Sequence, residues 1–242
     1  MKRLYSLILI TLLFLTVACG SDDGPGVIPV ANFSSDRTIV ETGEAVTFTN
    51  SSEDGVSYSW DFGDDETSDE ENPNHTYTTR GTFTVTLTTT SSTGDTHAQT
   101  STITVGQRWM VGLVIESINL QNDNDAPWDT DNSGPELIFG ALKATDQGFQ
   151  SFPLGNDYEE SDLPFSGSFA LNNQQVLTNE DWLFVFLDND EPFTDPNSSE
   201  LMTYFELNPV TTPSDKDYET GEGSFHIQEG EYSLYILFEV RN

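Results

Sequence analysis

Between Val30 and Val105 the apolar residues fall at every second position: Val46 and Phe48, then Val56, Tyr58, Trp60 and Phe62, then Phe83, Val85 and Leu87. A period of two puts one set of side chains on a buried face and the other in solvent, so each run predicts a half-buried β-strand. Asp54-Gly55, Gly63-Asp64, Arg80-Gly81 and Thr93-Gly94 separate the runs at the spacing of turns in an antiparallel sandwich. No segment of this region has helical periodicity.

After Gly106 threonine becomes scarce, large aliphatic and aromatic residues rise, and two acid-rich segments appear. Such a shift marks a domain boundary with almost no linker. The stretches 109–120, 136–142, 182–188, 202–207 and 231–240 read as strands, with 182–188 as a buried central one. The predicted fold class is therefore all-β, with two consecutive β-sandwiches over residues 29–106 and 107–242. Residues 147–175 carry the weakest pattern.

The chain opens MKRLYSLILITLLFLTVACGSDD, in which Lys2 and Arg3 precede an apolar run from Leu7 to Leu15. Charge followed by a short apolar run is the order of a secretory signal, and the run is well below the roughly 20 residues a membrane span needs. The LTVAC at its end resembles the bacterial lipobox. That resemblance implies removal of residues 1–18, lipidation (palmitate included) of Cys19, and a linker to residue 28. Ser21, Asp22 and Asp23 resemble an export signal of surface lipoproteins, which implies a lipid anchor in the bacterial outer membrane and exposure at the cell surface. Cys19 is the sole cysteine, so an intrachain disulfide and a cysteine-based zinc site are both excluded.

Forty-one acids oppose eight bases, a formal net charge of −33. Such a field repels nucleic acid and anionic lipid, and attracts divalent cations wherever the fold gathers carboxylates.

WDFGDD at 60–65, NPNHTY at 72–77 and GTFTVTLT at 81–88 together resemble the polycystic kidney disease (PKD) domain, an immunoglobulin-like sandwich. The resemblance implies that Trp60 is a core residue on a central strand, Gly63 forms a tight turn, and Tyr77 is a corner tyrosine tying a loop to the sheet. Asp64-Asp65-Glu66 departs from the family, which usually has glycine in third place, so a looser turn is expected there. His75 is expected to be a hydrogen-bonded turn residue rather than a ligand. Domains of this family commonly act as spacers or contact modules on surface proteins.

The acid-rich segments are NDNDAPWDTDNSGPE at 122–136 and DNDEPFTD at 188–195. Calcium takes six to eight hard oxygen ligands, which two such loops at one end of a sandwich would supply together. Neither has the central glycine and closing glutamate of an EF-hand loop. The order strand, acidic loop, strand, then hydrophobic strand into Asp-x-Asp resembles the calcium-binding C-two domain. By position the resemblance implies Asp188, Asp190 and Asp195 as ligands from the second loop, with Asp123 and Asp129 from the first. Ser133-Gly134-Pro135-Glu136 replaces the family's usual Asp-Pro-Tyr closure. Trp128 and Phe193 are candidate ligand contacts at the loop tips, and the absence of a basic residue in either loop disfavours lipid binding. A structural Ca2+ is the expected cofactor.

The chain has no GxSxG elbow, HExxH or P-loop, and its three histidines, His75, His97 and His226, lie far apart. The expected function is non-enzymatic: a spacer plus a calcium-dependent module that binds extracellular polysaccharide or a surface protein. The alternative is a glycan-processing protein with an unrecognised carboxylate pair.

Overall fold

The computed structural model describes residues 26–119, 137–144, 150–153, 163–169, 174–188 and 200–242. Every regular element among them is a β-strand. The first sandwich is built from β1 (Phe33–Ser35), β2 (Ile39–Glu41), β3 (Ala45–Asn50), β4 (Ser57–Asp61), β5 (Thr67–Ser68), β6 (Asn74–Thr76), β7 (Gly81–Thr90) and the first half of β8 (Thr96–Ser117). One sheet has the order β1-β3-β6; the other runs β8-β7-β4-β5, with β2 joining β8 in parallel. Val46, Phe48, Trp60, Phe62, Val85 and Leu87 of the period-two pattern are buried between them, together with Tyr77, whereas Val56, also in that pattern, lies just before β4 and is exposed.

The second sandwich comprises β9 (Leu137–Lys143), β10 (Gln150–Pro153), β11 (Phe165–Ser168), β12 (Gln175–Leu177), β13 (Trp182–Asp188), β14 (Glu200–Leu207), β15 (Ser214–Lys216), β16 (Glu222–Glu229) and β17 (Tyr232–Arg241). The sheet β10-β9-β13-β14 faces β15-β16-β17-β8, and β11 and β12 pair with β8 on the side away from β17. As expected, β13 is central, and its Trp182, Phe184 and Phe186 point into a core shared with Phe139, Phe225 and Phe238.

Gly106, where composition changes, lies inside β8 rather than between strands. This 22-residue strand pairs with β7 from Thr96 to Val105 and with β17 from Gln107 to Ser117. At about 3.3 Å per residue it is roughly 70 Å long and forms a spine common to both sandwiches. A Cβ on Gly106 would sit 2.4 Å from the carbonyl oxygen of Arg241, so only glycine fits where the strand passes from one partner to the next.

Around this point the two cores interlock. On β2, Val40 belongs to the first core while Ile39 packs against the second. In return Tyr218 of the second sandwich packs against the first core, and its carbonyl accepts hydrogen bonds from the amides of Thr38 (3.1 Å) and Ile39 (2.8 Å). Arg108, 3 % exposed, donates from Nε (3.2 Å) and Nη2 (2.8 Å) to the two Glu41 carboxylate oxygens, and from Nη1 to the Pro209 carbonyl (2.5 Å). Its guanidinium lies 4.0 Å over the Phe238 ring. Lys216 Nζ donates to Glu41 at 3.0 Å and to Glu44 at 2.5 Å. Burial alone would raise the Glu41 carboxyl; the hydrogen bond and charge of Arg108, joined by Lys216, outweigh it and hold the group below its ordinary value.

The Pro209 contact also fixes direction. β14 ends at Leu207 and so runs towards this junction; its antiparallel partner β13 runs away from it and ends at Asp188, far from the first sandwich. Leu137, the first residue of β9, is the register partner of Asp188 and lies at that same far end.

Replacing Arg108 with Met strands Glu41 beside a single cation and is expected to cost about 3–5 kcal/mol in a urea melt followed by tryptophan fluorescence. Because the Glu41 carboxyl is lowered in the folded protein, its contribution is complete above the ordinary carboxylate range and is lost as pH falls through the lowered value. Melting temperature against pH therefore falls less steeply in that acid range for Glu41→Gln than for the parent chain.

Candidate functional site

Asp188 is 1 % exposed, held by pairing with Leu137 on one side and Glu200 on the other. It is thus a carboxylate fixed on a rigid strand end, at the base of both acid-rich segments. Asp123, Asp129, Asp190, Asp195, Trp128 and Phe193 lie outside the described residues, as does Cys19. Among the described residues no group of three or more His, Cys, Asp or Glu side chains is placed to hold a metal ion.

The outer face of β15-β16-β17-β8 carries a feature that the sequence reading missed. An open cleft of about 750 Å3 is floored by Val111 and Leu237 and rimmed by the carboxylates of Asp215, Asp217, Glu222 and Glu239. Ser224 lines it as well, and so does Lys216, whose side chain is 3 % exposed and whose ammonium is bound to Glu41 and Glu44. Trp109, half-buried, is the register partner of Glu239 and of Val176, so its ring shares this face beside the cleft. Arg241 pairs with Glu239 and donates to Gln174 Oε1 at 2.6 Å. The Asp217 carboxylate accepts from the amides of Glu219 (2.7 Å) and Thr220 (3.1 Å), and these bonds hold it below its ordinary value. Alternation along β16 and β17 was a sign that Ser224, Leu237 and Glu239 face outward. The cleft itself arises from the 214–222 hairpin folding towards the first sandwich, which no local pattern encodes.

The histidines have structural partners. His97 Nδ1 accepts the Ala31 amide at 2.9 Å. Ser233 Oγ lies 2.9 Å from His226 Nε2 and donates to Glu116 at 2.8 Å, while His226 and Glu116 are 4.0 Å apart. Here serine sits between acid and imidazole, whereas a hydrolytic triad needs the imidazole between acid and serine.

In the first sandwich the motif residues meet around one turn. Trp60 is fully buried and its Nε1 donates to the Glu70 carbonyl at 2.9 Å. Buried Tyr77 donates its hydroxyl to the Phe62 carbonyl at 3.2 Å, the tie expected of a corner tyrosine. Burial, reinforced by the Asp64 charge, raises the pKa of that hydroxyl. Gly63 takes φ +82°, and a Cβ there would sit 2.7 Å from the Thr84 carbonyl oxygen. His75 lies on β6 rather than in a turn; Nε2 is 2.8 Å from Asp64 Oδ2, and the ring stacks on Phe62 at 4.1 Å.

A family model described as PKD domain matches residues 26–105. This part of the chain is a PKD domain. The PKD1 domain from Vibrio cholerae metalloprotease PrtV is 41 % identical over 33 % of this chain and 98 % of that chain, with a TM-score of 0.29. The PKD1 domain of Vibrio anguillarum Epp is 42 % identical over 33 % of this chain and 94 % of that one, also with a TM-score of 0.29. A carbohydrate-binding module of the β-sandwich superfamily covers 88 % of this chain, but at 13 % identity and a TM-score of 0.31 the likeness is too slight to bear on function.

The run Asp64-Asp65-Glu66, which departs from the family, forms a closed turn. The turn is not opened: Phe62 N bonds the Glu66 carbonyl at 3.1 Å, and the Asp61 and Asp64 carboxylates accept from the amides of Gly63 (2.8 Å) and Glu66 (3.3 Å). Asp65 instead adopts φ +71°, a left-handed conformation in which glycine would carry no Cβ penalty. Asp65→Gly is therefore expected to stabilise the PKD domain by about 0.5–1 kcal/mol in a thermal melt, a gain limited by the aspartate's own tolerance of this region.

Proposed function

We propose that the protein is a non-catalytic cell-surface module in which the PKD domain acts as a spacer and the second sandwich binds an extracellular partner in a calcium-dependent way. The observation that carries this reading is the position of Asp188. It is buried at the end of β13 remote from the PKD domain, where the described flanks of both acid-rich segments, Leu137 and Asp188, are register partners. A carboxylate anchored on a rigid strand suits a cation site better than one on a free loop, because the site need not be ordered when the ion binds.

In this proposal Asp123, Asp129, Asp190 and Asp195 join Asp188 as calcium ligands in a C-two-like arrangement, and Trp128 and Phe193 contact the partner, an extracellular polysaccharide or surface protein. Cys19 carries the lipid that anchors the chain in the bacterial outer membrane. The spine supports the display role: β8 pairs continuously with strands of both sandwiches, and a spacer that bent at each junction would not hold a binding end at fixed distance from the membrane.

Calcium titration of the full chain by calorimetry and thermal melting tests the metal reading. A saturable heat and a raised melting temperature are expected, at about 2.7 kcal/mol when calcium is a hundredfold above its dissociation constant, with both signals lost in Asp188→Asn combined with Asp190→Asn. No heat at millimolar calcium would remove calcium from the proposal. Labelling of Cys19 by radiolabelled palmitate, abolished in Cys19→Ser, tests the anchor.

A further inference from the structure

We propose that the cleft on the outer face of β15-β16-β17-β8 binds a saccharide chain bearing free amino groups. The cleft's volume, about 750 Å3, is that of a site for a few sugar rings rather than for a single ion. Its floor, Val111 and Leu237, is apolar, and Trp109 extends the apolar surface along the same face. A pyranose ring presents C–H groups on its faces and hydroxyls around its edge. Indole and aliphatic surface take the first, and carboxylates accept hydrogen bonds from the second.

The rim decides which sugars fit. Asp215, Asp217, Glu222 and Glu239 place four carboxylates around one opening. Of the cations nearby, Lys216 is bound to Glu41 and Glu44, and Arg241 is paired with Glu239, which leaves Asp215, Asp217 and Glu222 as the rim carboxylates without a cation partner among the described residues. Uronates and sulfated sugars are repelled by this field, whereas ammonium groups along a sugar backbone are attracted and form charge-assisted hydrogen bonds. The rim is also preorganised. Asp217 is fixed by two backbone amides, and the hairpin carrying Asp215 and Asp217 is held against the PKD domain through Lys216 and Tyr218. This site is separate from the far end where calcium is proposed, and its test is independent of calcium.

Calorimetry on the full chain, in chelator, with the hexamer of β-1,4-glucosamine is expected to give one saturable site. The N-acetylglucosamine hexamer, with the same skeleton and no charge, should bind at least about tenfold more weakly, and a galacturonate hexamer not at all. Asp215→Asn with Glu222→Gln should lose about tenfold or more in affinity. Asp69→Asn with Glu71→Gln removes two exposed charges from the PKD domain and should leave affinity unchanged; melting curves confirm that both pairs fold. Absence of binding to the glucosamine hexamer, equal affinity for the N-acetylated hexamer, or equal losses in the two variant pairs would overturn the proposal. Pentalysine binding as tightly as the sugar would reassign the cleft to a cationic peptide and overturn it too.

Discussion

The contact on which the rest of this molecule depends is the bidentate pair between Arg108 and Glu41, with Lys216 on the same carboxylate. In a chain of net charge −33, cations are scarce, and five of the eight (Arg37, Arg80, Arg108, Lys216 and Arg241) lie around the junction. Arg37 lies over the Tyr218 ring, Arg80 bonds Gln107, and Arg241 is the register partner of Gln107. Two acidic sandwiches would repel each other across any gap. Concentrating positive charge where they meet converts that repulsion into local attraction, and burial of Arg108 and Lys216 keeps salt from screening their share of it.

The ion cluster acts on a backbone that is already continuous. β8 alone would leave two sandwiches joined by a twisting ribbon, because a single strand resists bending weakly. What resists bending is the second and third connection: β2, which gives Val40 to one core and Ile39 to the other, and the 214–222 hairpin, which puts Tyr218 against the PKD core. Three segments distant in sequence thus cross the junction, and the hairpin that completes the lock also forms the acidic rim of the cleft. Binding in that cleft and rigidity of the junction therefore draw on the same few residues.

Much of this was legible in the sequence because it is local. Period-two alternation located β4 and apolar runs located β13 and β17 to within a residue or two, and the motif from Trp60 to Thr88 specified the PKD core, its corner tyrosine and its tight turn. What could not be read was pairing between distant segments. A change in composition at Gly106 signals a boundary, yet whether the chain breaks there depends on Arg241, more than a hundred residues later, lying beside it. One local sign did exist: Arg108 stands in phase with buried Met110, after the alternation of Ile103 and Val105 has changed phase at Gly106, and a charge placed inward needs a partner. His75 was read as a turn residue inside the family motif; pairing with Val46 of the distant β3 places it on β6, where its ring meets Phe62 and Asp64.

Of the candidate metal ligands only Asp188 lies within the described residues, and its burial is informative for a physical reason. Sequence composition makes acids in loops uninformative in so acidic a chain, since any loop acquires them by chance. A carboxylate at an inward position of the most apolar strand is different. Desolvating it is costly, so its placement at the end of β13 needs compensation from the groups around it, and chance surface acidity supplies no such arrangement. The rim acids of the cleft stand at the opposite extreme: each is accessible to solvent and individually unremarkable, and only the fold of the hairpin brings Asp215, Asp217 and Glu222 to the same opening as Glu239 of β17. Burial therefore singles out one residue, whereas convergence singles out a site.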